Sequence, residues 1–451
     1  CLVGSEMCIR DRIHTTDLDC GQVFAHLPEA MQRGLIDERE IDEALARLLT
    51  IRFRLGMFDP EENDPYATLP YSVLESPAHK AHALRLAQES MVLLKNDGIL
   101  PLQHNLTRIV VLGPNADNPE VQLGNYNGFP SEIVTPLEGI RAKTGAEVLY
   151  LQASDYTEAT CAGGEIDRAL EGADLAIFVG GISPRLEGEE GDAGRNAPEG
   201  FAGGDRTSIR LPRAQTEVMR HIHEAGIPLV FVSMSGSALA FPWEAEHADA
   251  ILQAWYGGQA AGTAVADILW GDCNPSGRLP VTFYADDSQL PDFTDYSMRG
   301  RTYRYFAGEP LYPFGFGLSY STFAYDTPVC RTRRPRTGEP ITITTRVRNT
   351  GDRTGEEVVQ LYLCHPDAPE PKPIRALKGV RRITLRPGEA QTVEFTLMPR
   401  DLALVQPDGR SVCAPGTIRC YIGGAQPDAS PESERRSCPI RISGTAKVLP
   451  R

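Results

Sequence analysis

The stretch from Gly180 to Arg206, GGISPRLEGEEGDAGRNAPEGFAGGDR, holds the densest set of groups able to move protons. It carries Glu187, Glu189, Glu190, Asp192, Glu199 and Asp205 against arginines that include Arg195 and Arg206. A carboxyl works as a general acid near neutrality when burial or a neighbouring negative charge keeps its proton on. The segment follows the apolar run Leu175 to Val179, so it starts at the end of a buried strand, where α/β proteins gather ligand-binding loops. A loop this long is either functional or solvated. Two readings stay open on residue type alone: an arm carrying a carboxyl to a neighbouring cleft, and an acidic surface loop. A calcium loop is disfavoured, because the D-x-[DN]-x-[DN]-G spacing is absent.

Other chemistry-bearing residues offer less. Ser235 sits in Ser233-Met234-Ser235-Gly236-Ser237, which lacks both glycines of a nucleophile elbow, so small residues packing under a sheet account for it better. Gly113-Pro114-Asn115 is a turn after a strand without the G-x-G-x-x-G of a dinucleotide site. His79 with His82, and His221 with His223, lack carboxylate or cysteine partners at ligand spacing and read as exposed helix residues. The cysteines are scattered with no C-x-x-C. Cys413 and Cys420 could bridge in an oxidising compartment, and free buried thiols explain them equally well. Neither a metal site nor a cofactor is expected.

The elements that must position the acidic segment follow from periodicity. Short apolar runs at Ile109–Leu112, Val148–Leu151, Leu175–Val179, Leu229–Val232 and Ala250–Trp255 alternate with helix-like stretches such as Leu211–Glu224 and Gly262–Leu269. Ala83, Leu86, Ala87, Ser90, Met91 and Leu94 line one face of a further helix that stops at Asn96-Asp97-Gly98. Strands alternating with helices imply an α/β sandwich domain with a mostly parallel sheet over residues 71–330. From 331 to 451 the period drops to two, in Ile341, Ile343, Thr345 and Val347, then Val359, Leu361 and Leu363, then Val393, Phe395 and Leu397. Short alternating strands between turn residues describe a β-sandwich.

Residues 13–70 hold one capped helix, opened by Asp37 with Glu40 and closed at Gly56, then a Pro-rich acidic linker. One helix cannot bury a core, so its apolar stripe needs partners from elsewhere. Residues 1–12, CLVGSEMCIRDR, fit no element and read as a sequencing artefact. The net charge of −15 over 451 residues argues against nucleic-acid binding and against a polybasic membrane anchor. The longest apolar run, Ile227 to Phe241, is too short for a membrane span and is interrupted by serines.

Several motifs, in order, resemble family 3 glycoside hydrolases. They are ESMVLLKNDGILPL, LGNYNGFPSEIVTPLEGI, the LEGEE…GGDRTSIRLP loop, GDCNPSGRLPVTFY and GRTYRYF…PLYPFGFGLSYSTF. The later block VVQLYL through LKGVRRITLRPGEAQTVEFTL is similar to the fibronectin-III-like domain such enzymes carry. TDLDCG (Thr16 to Gly21) and GNYNG (Gly124 to Gly128) resemble the β-xylosidase branch. The resemblance implies a multidomain α/β plus β architecture: the end of a (β/α)8 barrel at 13–70, the α/β sandwich, and a fibronectin-III-like β-sandwich. It implies an exo-acting retaining hydrolase that releases xylose from xylo-oligosaccharides, with β-glucosidase, α-L-arabinofuranosidase or a non-catalytic carbohydrate-binding protein as alternatives.

Such a hydrolase works by two carboxyls about 5–5.5 Å apart. The family's nucleophile Asp would fall within or before residues 1–12. Neither Asp11 nor Asp17 matches its motif, so the chain alone is expected to be inactive. The resemblance places the general acid/base on Glu187, with Glu189 in reserve. It places Asp19, Asn125 and Asn127 at the sugar, and Asp205 and Arg206 in support of the loop. An oligosaccharide is the expected partner and a homodimer stays open. A periplasmic or secreted location is favoured, with the N-terminus missing.

Overall fold

The computed structural model describes residues 22–187, 198–202, 205–427 and 437–450. Asp11, Asp17, Asp19 and Glu189 lie outside them. The chain divides into two compact units, with the break between Ser76 and Pro77.

In the first unit the described residues form helices at Gln22–Ala25, Leu27–Gln32 and Glu38–Arg54 and no strand. Asp37 opens the longest with both halves of a capping box. Its carboxylate accepts the Glu40 N–H at 3.0 Å, and its own N–H donates to the Glu40 carboxylate at 3.1 Å. Of the apolar stripe only Ala44 is buried, while Leu45, Phe53 and Leu55 are exposed.

The second unit opens with the helix Pro77–Ser90 and a six-stranded sheet. Its strands are β1 (Val92–Asn96), β2 (Arg108–Leu112), β3 (Glu147–Leu151), β4 (Leu175–Gly181), β7 (Leu229–Met234) and β8 (Ala250–Gln253). A two-stranded hairpin, β5 (Phe201–Ala202) and β6 (Asp205–Arg206), stands outside the sheet. The order is β1-β8-β7-β4-β2-β3, with β1 antiparallel to β8 and the other pairs parallel. Helices Pro136–Lys143, Gly163–Leu170, Arg213–Glu224 and Pro242–His247 connect successive strands, and Ala261–Trp270 follows β8. Every residue of β4 and β7 is buried, as expected for parallel strands covered on both faces.

One expected element changes type. The helix anticipated through Leu94 ends at Ser90, and Met91 to Leu94 enter the edge strand β1. All four are buried, and such an unbroken apolar run fits a two-sided strand as well as a helix. Pairing with β8 decides between them.

Beyond residue 320 the described residues form two larger antiparallel sheets and a small three-stranded one of Leu404–Val405, Ser411–Cys413 and Lys447–Val448. One larger sheet orders Val329–Cys330, Ile341–Asn349 and Ala390–Leu397, with Phe323–Tyr325 also paired to Ile341–Asn349. The other orders Ala376–Leu385, Gly355–Cys364, Gly416–Gly423 and Ser437–Ile442. Ile341, Ile343, Val347, Val359, Leu361, Leu363, Val393, Phe395 and Leu397 fill the core between them. Cys413 and Cys420 are both buried free thiols, and Cys420 lies across from Cys438 in the adjacent strand.

Candidate active site

The acidic segment leaves the sheet at the end of β4 through a tightly specified exit. The fully buried Gln215 holds Gly181 by both its backbone groups: it accepts the N–H at 2.8 Å and donates to the carbonyl at 2.7 Å. Gly181 has φ +119°, and a Cβ there would lie 2.1 Å from the Met234 carbonyl oxygen, so only glycine fits. Ser183 then starts the single turn Pro184–Glu187. Its carbonyl accepts the Glu187 N–H at 3.0 Å and its hydroxyl accepts the Leu186 N–H at 3.3 Å.

This turn aims Glu187 back at the ends of β7 and β8. The Gly236 N–H donates to Glu187 Oε2 at 2.8 Å, the Tyr256 hydroxyl donates to the same oxygen at 2.5 Å, and the Ser237 hydroxyl donates to Oε1. Tyr256 is placed by an unusual backbone: Trp255, just before it, has φ +57°, a left-handed conformation that costs about 1–2 kcal/mol in a non-glycine residue. The Trp255 indole N–H donates to the Ser90 carbonyl at 3.1 Å and holds the kink. Burial, reinforced by the Glu187 charge, pushes the Tyr256 hydroxyl far above its ordinary range, so it stays a donor. Gly236, Ser237, Trp255 and Tyr256 were not singled out from sequence as site residues. The small-residue run at 233–237 was noticed, but its link to Glu187 depends on the sheet order.

The far end of the acidic segment returns to the same place. In β6, Arg206 donates to the Ala238 carbonyl at 2.8 Å, while its Nη1 is buried without a hydrogen-bond partner. Burial lowers its pKa, and the nearby Glu187 charge opposes that fall. Asp205 is exposed on the hairpin. Just beyond, Asp287 accepts the Ser208 hydroxyl and the Ile209 N–H, both at 2.7 Å, which fixes the chain as it leaves.

Asn125 and Asn127 line a cavity of about 470 Å³ with Tyr156, Phe129, Pro184 and Arg185. The Asn125 side chain donates to the Pro184 carbonyl at 3.3 Å, tying this loop to the turn that bears Glu187. The Asn127 side chain donates to the Gly128 carbonyl at 2.7 Å. Between them Tyr126 is exposed with φ +55°, and Phe129 is 97% exposed. Tyr156, buried and close to Asp155 and Glu120, has its hydroxyl pushed up to about 12. The structure thus brings Glu187, Arg206 and Asn125 to one edge of the sheet, while Asp19 and Glu189 lie outside the described residues.

The remaining polar candidates are accounted for locally. The Ser235 hydroxyl donates to the Ser237 carbonyl at 2.7 Å and accepts the Gln253 side chain at 3.1 Å. The His221 ring contacts Asp167 at 2.6 Å, and His223 packs edge-on against Trp243 and His247. Among the described residues no cluster of three or more His, Cys, Asp or Glu side chains could hold a metal ion.

Fold and site define an α/β domain with a cavity at the carboxyl edge of its sheet and a β-sandwich packed against it. Residues 91–320 match the glycosyl hydrolase family 3 C-terminal domain, and residues 357–426 match the fibronectin type III-like domain. The chain belongs to glycoside hydrolase family 3. It is similar to a xylan 1,4-beta-xylosidase of Xylanibacter ruminicola, at 33% identity over 86% of this chain and 61% of the relative. A β-glucosidase structure from Erythrobacter marinus aligns with TM-score 0.78 and 33% identity, over 93% of this chain and 58% of that one. A family 3 exo-β-xylosidase solved with a xylobiose aziridine activity-based probe aligns with TM-score 0.81 and 27% identity, over 95% and 56%. The chain spans little more than half the length of these relatives.

Proposed function

We propose that this chain is part of an exo-acting retaining β-xylosidase that releases xylose from the non-reducing ends of xylo-oligosaccharides. The observation that carries the reading is the acidic segment itself, rooted beside the asparagine-lined cavity in a chain whose relatives include β-xylosidases. The nucleophilic carboxylate is assigned to a preceding domain, because neither Asp11 nor Asp17 occupies a matching motif. In the first step that carboxylate bonds to the anomeric carbon as the glycosidic C–O bond breaks, and a carboxylic acid gives its proton to the departing oxygen. In the second step water attacks the same carbon, losing its proton to the carboxylate that acted as acid, and frees the nucleophile. Asp19, Asn125 and Asn127 are proposed to border the sugar.

The acid must keep its proton near neutrality, which calls for desolvation or a negative neighbour. Glu187 spends both of its carboxylate oxygens on the Gly236 N–H and on the Ser237 and Tyr256 hydroxyls. The donor role that the resemblance gives to Glu187 is therefore proposed to pass to Glu189, two residues further along.

The test is the chain extended by its nucleophile-bearing domain, assayed on aryl xyloside, aryl glucoside, aryl arabinofuranoside and xylobiose. Xylosides are expected to be cleaved fastest. Glu189→Gln is expected to cut turnover of xylobiose by orders of magnitude and that of an activated aryl xyloside far less. Preference for a glucoside or arabinofuranoside would reassign the sugar. No hydrolysis of any of them would leave a carbohydrate-binding module.

A further inference from the structure

Both ends of the acidic segment are fastened to the same three residues. Glu187, where the segment departs, takes hydrogen bonds from Gly236 and Ser237. Arg206, where it returns, donates to Ala238. These three residues follow β7 directly and sit on the central part of the sheet, and Tyr256, following the neighbouring strand β8, adds a third donor to Glu187. Gly236 is the point of closest approach: a Cβ there would lie 2.8 Å from Glu187 Oε2 and 3.0 Å from the Tyr256 ring. The backbone is bare where the carboxylate presses on it.

The two groups are chemically matched. Among the described residues, the groups that donate to Glu187 are uncharged. The nearby guanidinium of Arg206 has one nitrogen buried without a partner. Each charge lowers the cost of burying the other without forming a sealed ion pair, which would make the joint rigid and expensive to desolvate.

We propose that Glu187 and Arg206 are the two jaws of a clasp on Gly236–Ala238 that fixes where the intervening carboxyls are presented, making Glu187 a positioning residue rather than the proton donor. This rests on the hydrolase reading for its kinetic consequences, but the clasp itself does not require activity. A residue that positions the donor weakens the same proton transfer but leaves the donor's own carboxyl in place to titrate and to repel an anion. A residue that is the donor matters most when the leaving group needs a proton.

The experiment has two parts. In the 451-residue chain, amide hydrogen exchange is followed at Gly236–Ala238 for wild type, Glu187→Gln, Tyr256→Phe and Ser237→Ala. Glu187→Gln places a donor against donors and is expected to speed exchange there at least tenfold. Tyr256→Phe and Ser237→Ala, milder changes that keep the carboxylate, are expected to speed it by a few-fold. Exchange at wild-type rates in all three variants would overturn the clasp. In the extended enzyme, Glu187→Gln is expected to lower turnover of xylobiose more than that of an activated aryl xyloside. Azide should give no rescue, and the basic limb of the pH–rate profile should stay in place. Rescue of aryl xyloside turnover by azide as a glycosyl azide, with the basic limb displaced, would make Glu187 the donor and overturn the positioning role. An enzyme inactive even as wild type would refute the hydrolase reading, and the exchange measurement would still decide the clasp.

Discussion

Two glutamates in this molecule are each met by a tyrosine hydroxyl and lie near an arginine, yet they do different work. Glu357, on the strand Gly355–Cys364, receives the Tyr325 hydroxyl and pairs with Arg278 at 2.7 Å; the two charged side chains are 4% and 8% exposed. Arg278 also donates to the carbonyls of Ser276, Gly277 and Gly424, so its donors are spent on the junction between the α/β domain and the β-sandwich. Glu187 is only partly buried, its partners are neutral, and its arginine is bonded to a carbonyl instead. A carboxylate sealed against a cation makes a permanent joint. One held by neutral donors, on a short turn at the end of β4, is the looser joint.

The largest test of this contrast is Arg278→Ala. Removing one member of a buried pair strands the other, so a loss of about 3–5 kcal/mol is expected in urea denaturation of the chain. A loss below about 1 kcal/mol would mean that water reaches Glu357 and the joint is no tighter than the clasp. Next comes Gly236→Ala. The new methyl has no room beside Glu187 and Tyr256, and overpacking of this kind costs about 1–3 kcal/mol. The same measurement checks it, and no change would show that the carboxylate is free to move aside.

A pH lever lies on the joint's side. His365, next along from the strand that carries Glu357, has its pKa lowered to about 4, first by burial and then by Lys378 and Lys372. Its folded value lies below the unfolded value of about 6.5, so the unfolded chain binds the proton more readily. Stability is therefore present above about pH 6.5 and is lost as pH falls from there toward about 4. Melting temperatures across that range should fall less steeply in His365→Gln than in wild type; parallel curves would exclude His365 as the source. The smallest effect belongs to Arg185, whose ion pair with Glu120 at 2.7 Å is exposed on both sides. Arg185→Ala should leave the melting temperature unchanged within error, as surface pairs generally do. A clear drop would show that the turn before Glu187 depends on more than Ser183.

Much of this architecture could be read from residue patterns. The alternation of Ile341, Ile343 and Val347 marks a half-buried strand, because side chains two apart share a face. The runs at Ile109–Leu112 and Leu175–Val179 mark strands covered on both sides. The Asp37–Glu40 box marks a helix start from two residues three positions apart, since its hydrogen bonds are local. Met91 to Leu94 misled, because an unbroken apolar run has no period to distinguish helix from strand. The acidic segment was recognisable as the place to look, and Asn125 as a neighbour. The partners of Glu187 were not: Gly236, Ser237 and Tyr256 stand 49, 50 and 69 positions away along the chain.

What the amino-acid order determines by itself is local: which stretches repeat every two residues or every three to four, where glycine must allow a turn, and how the carboxyls cluster between Gly180 and Arg206. Which way Glu187 points, and that Arg206 returns to the segment Glu187 grips, were decided only when β4, β7 and β8 lined up as neighbours in one sheet. Hydrogen bonds act over about 3 Å. Groups dozens of residues apart acquire a chemical relation only after the core has packed them side by side.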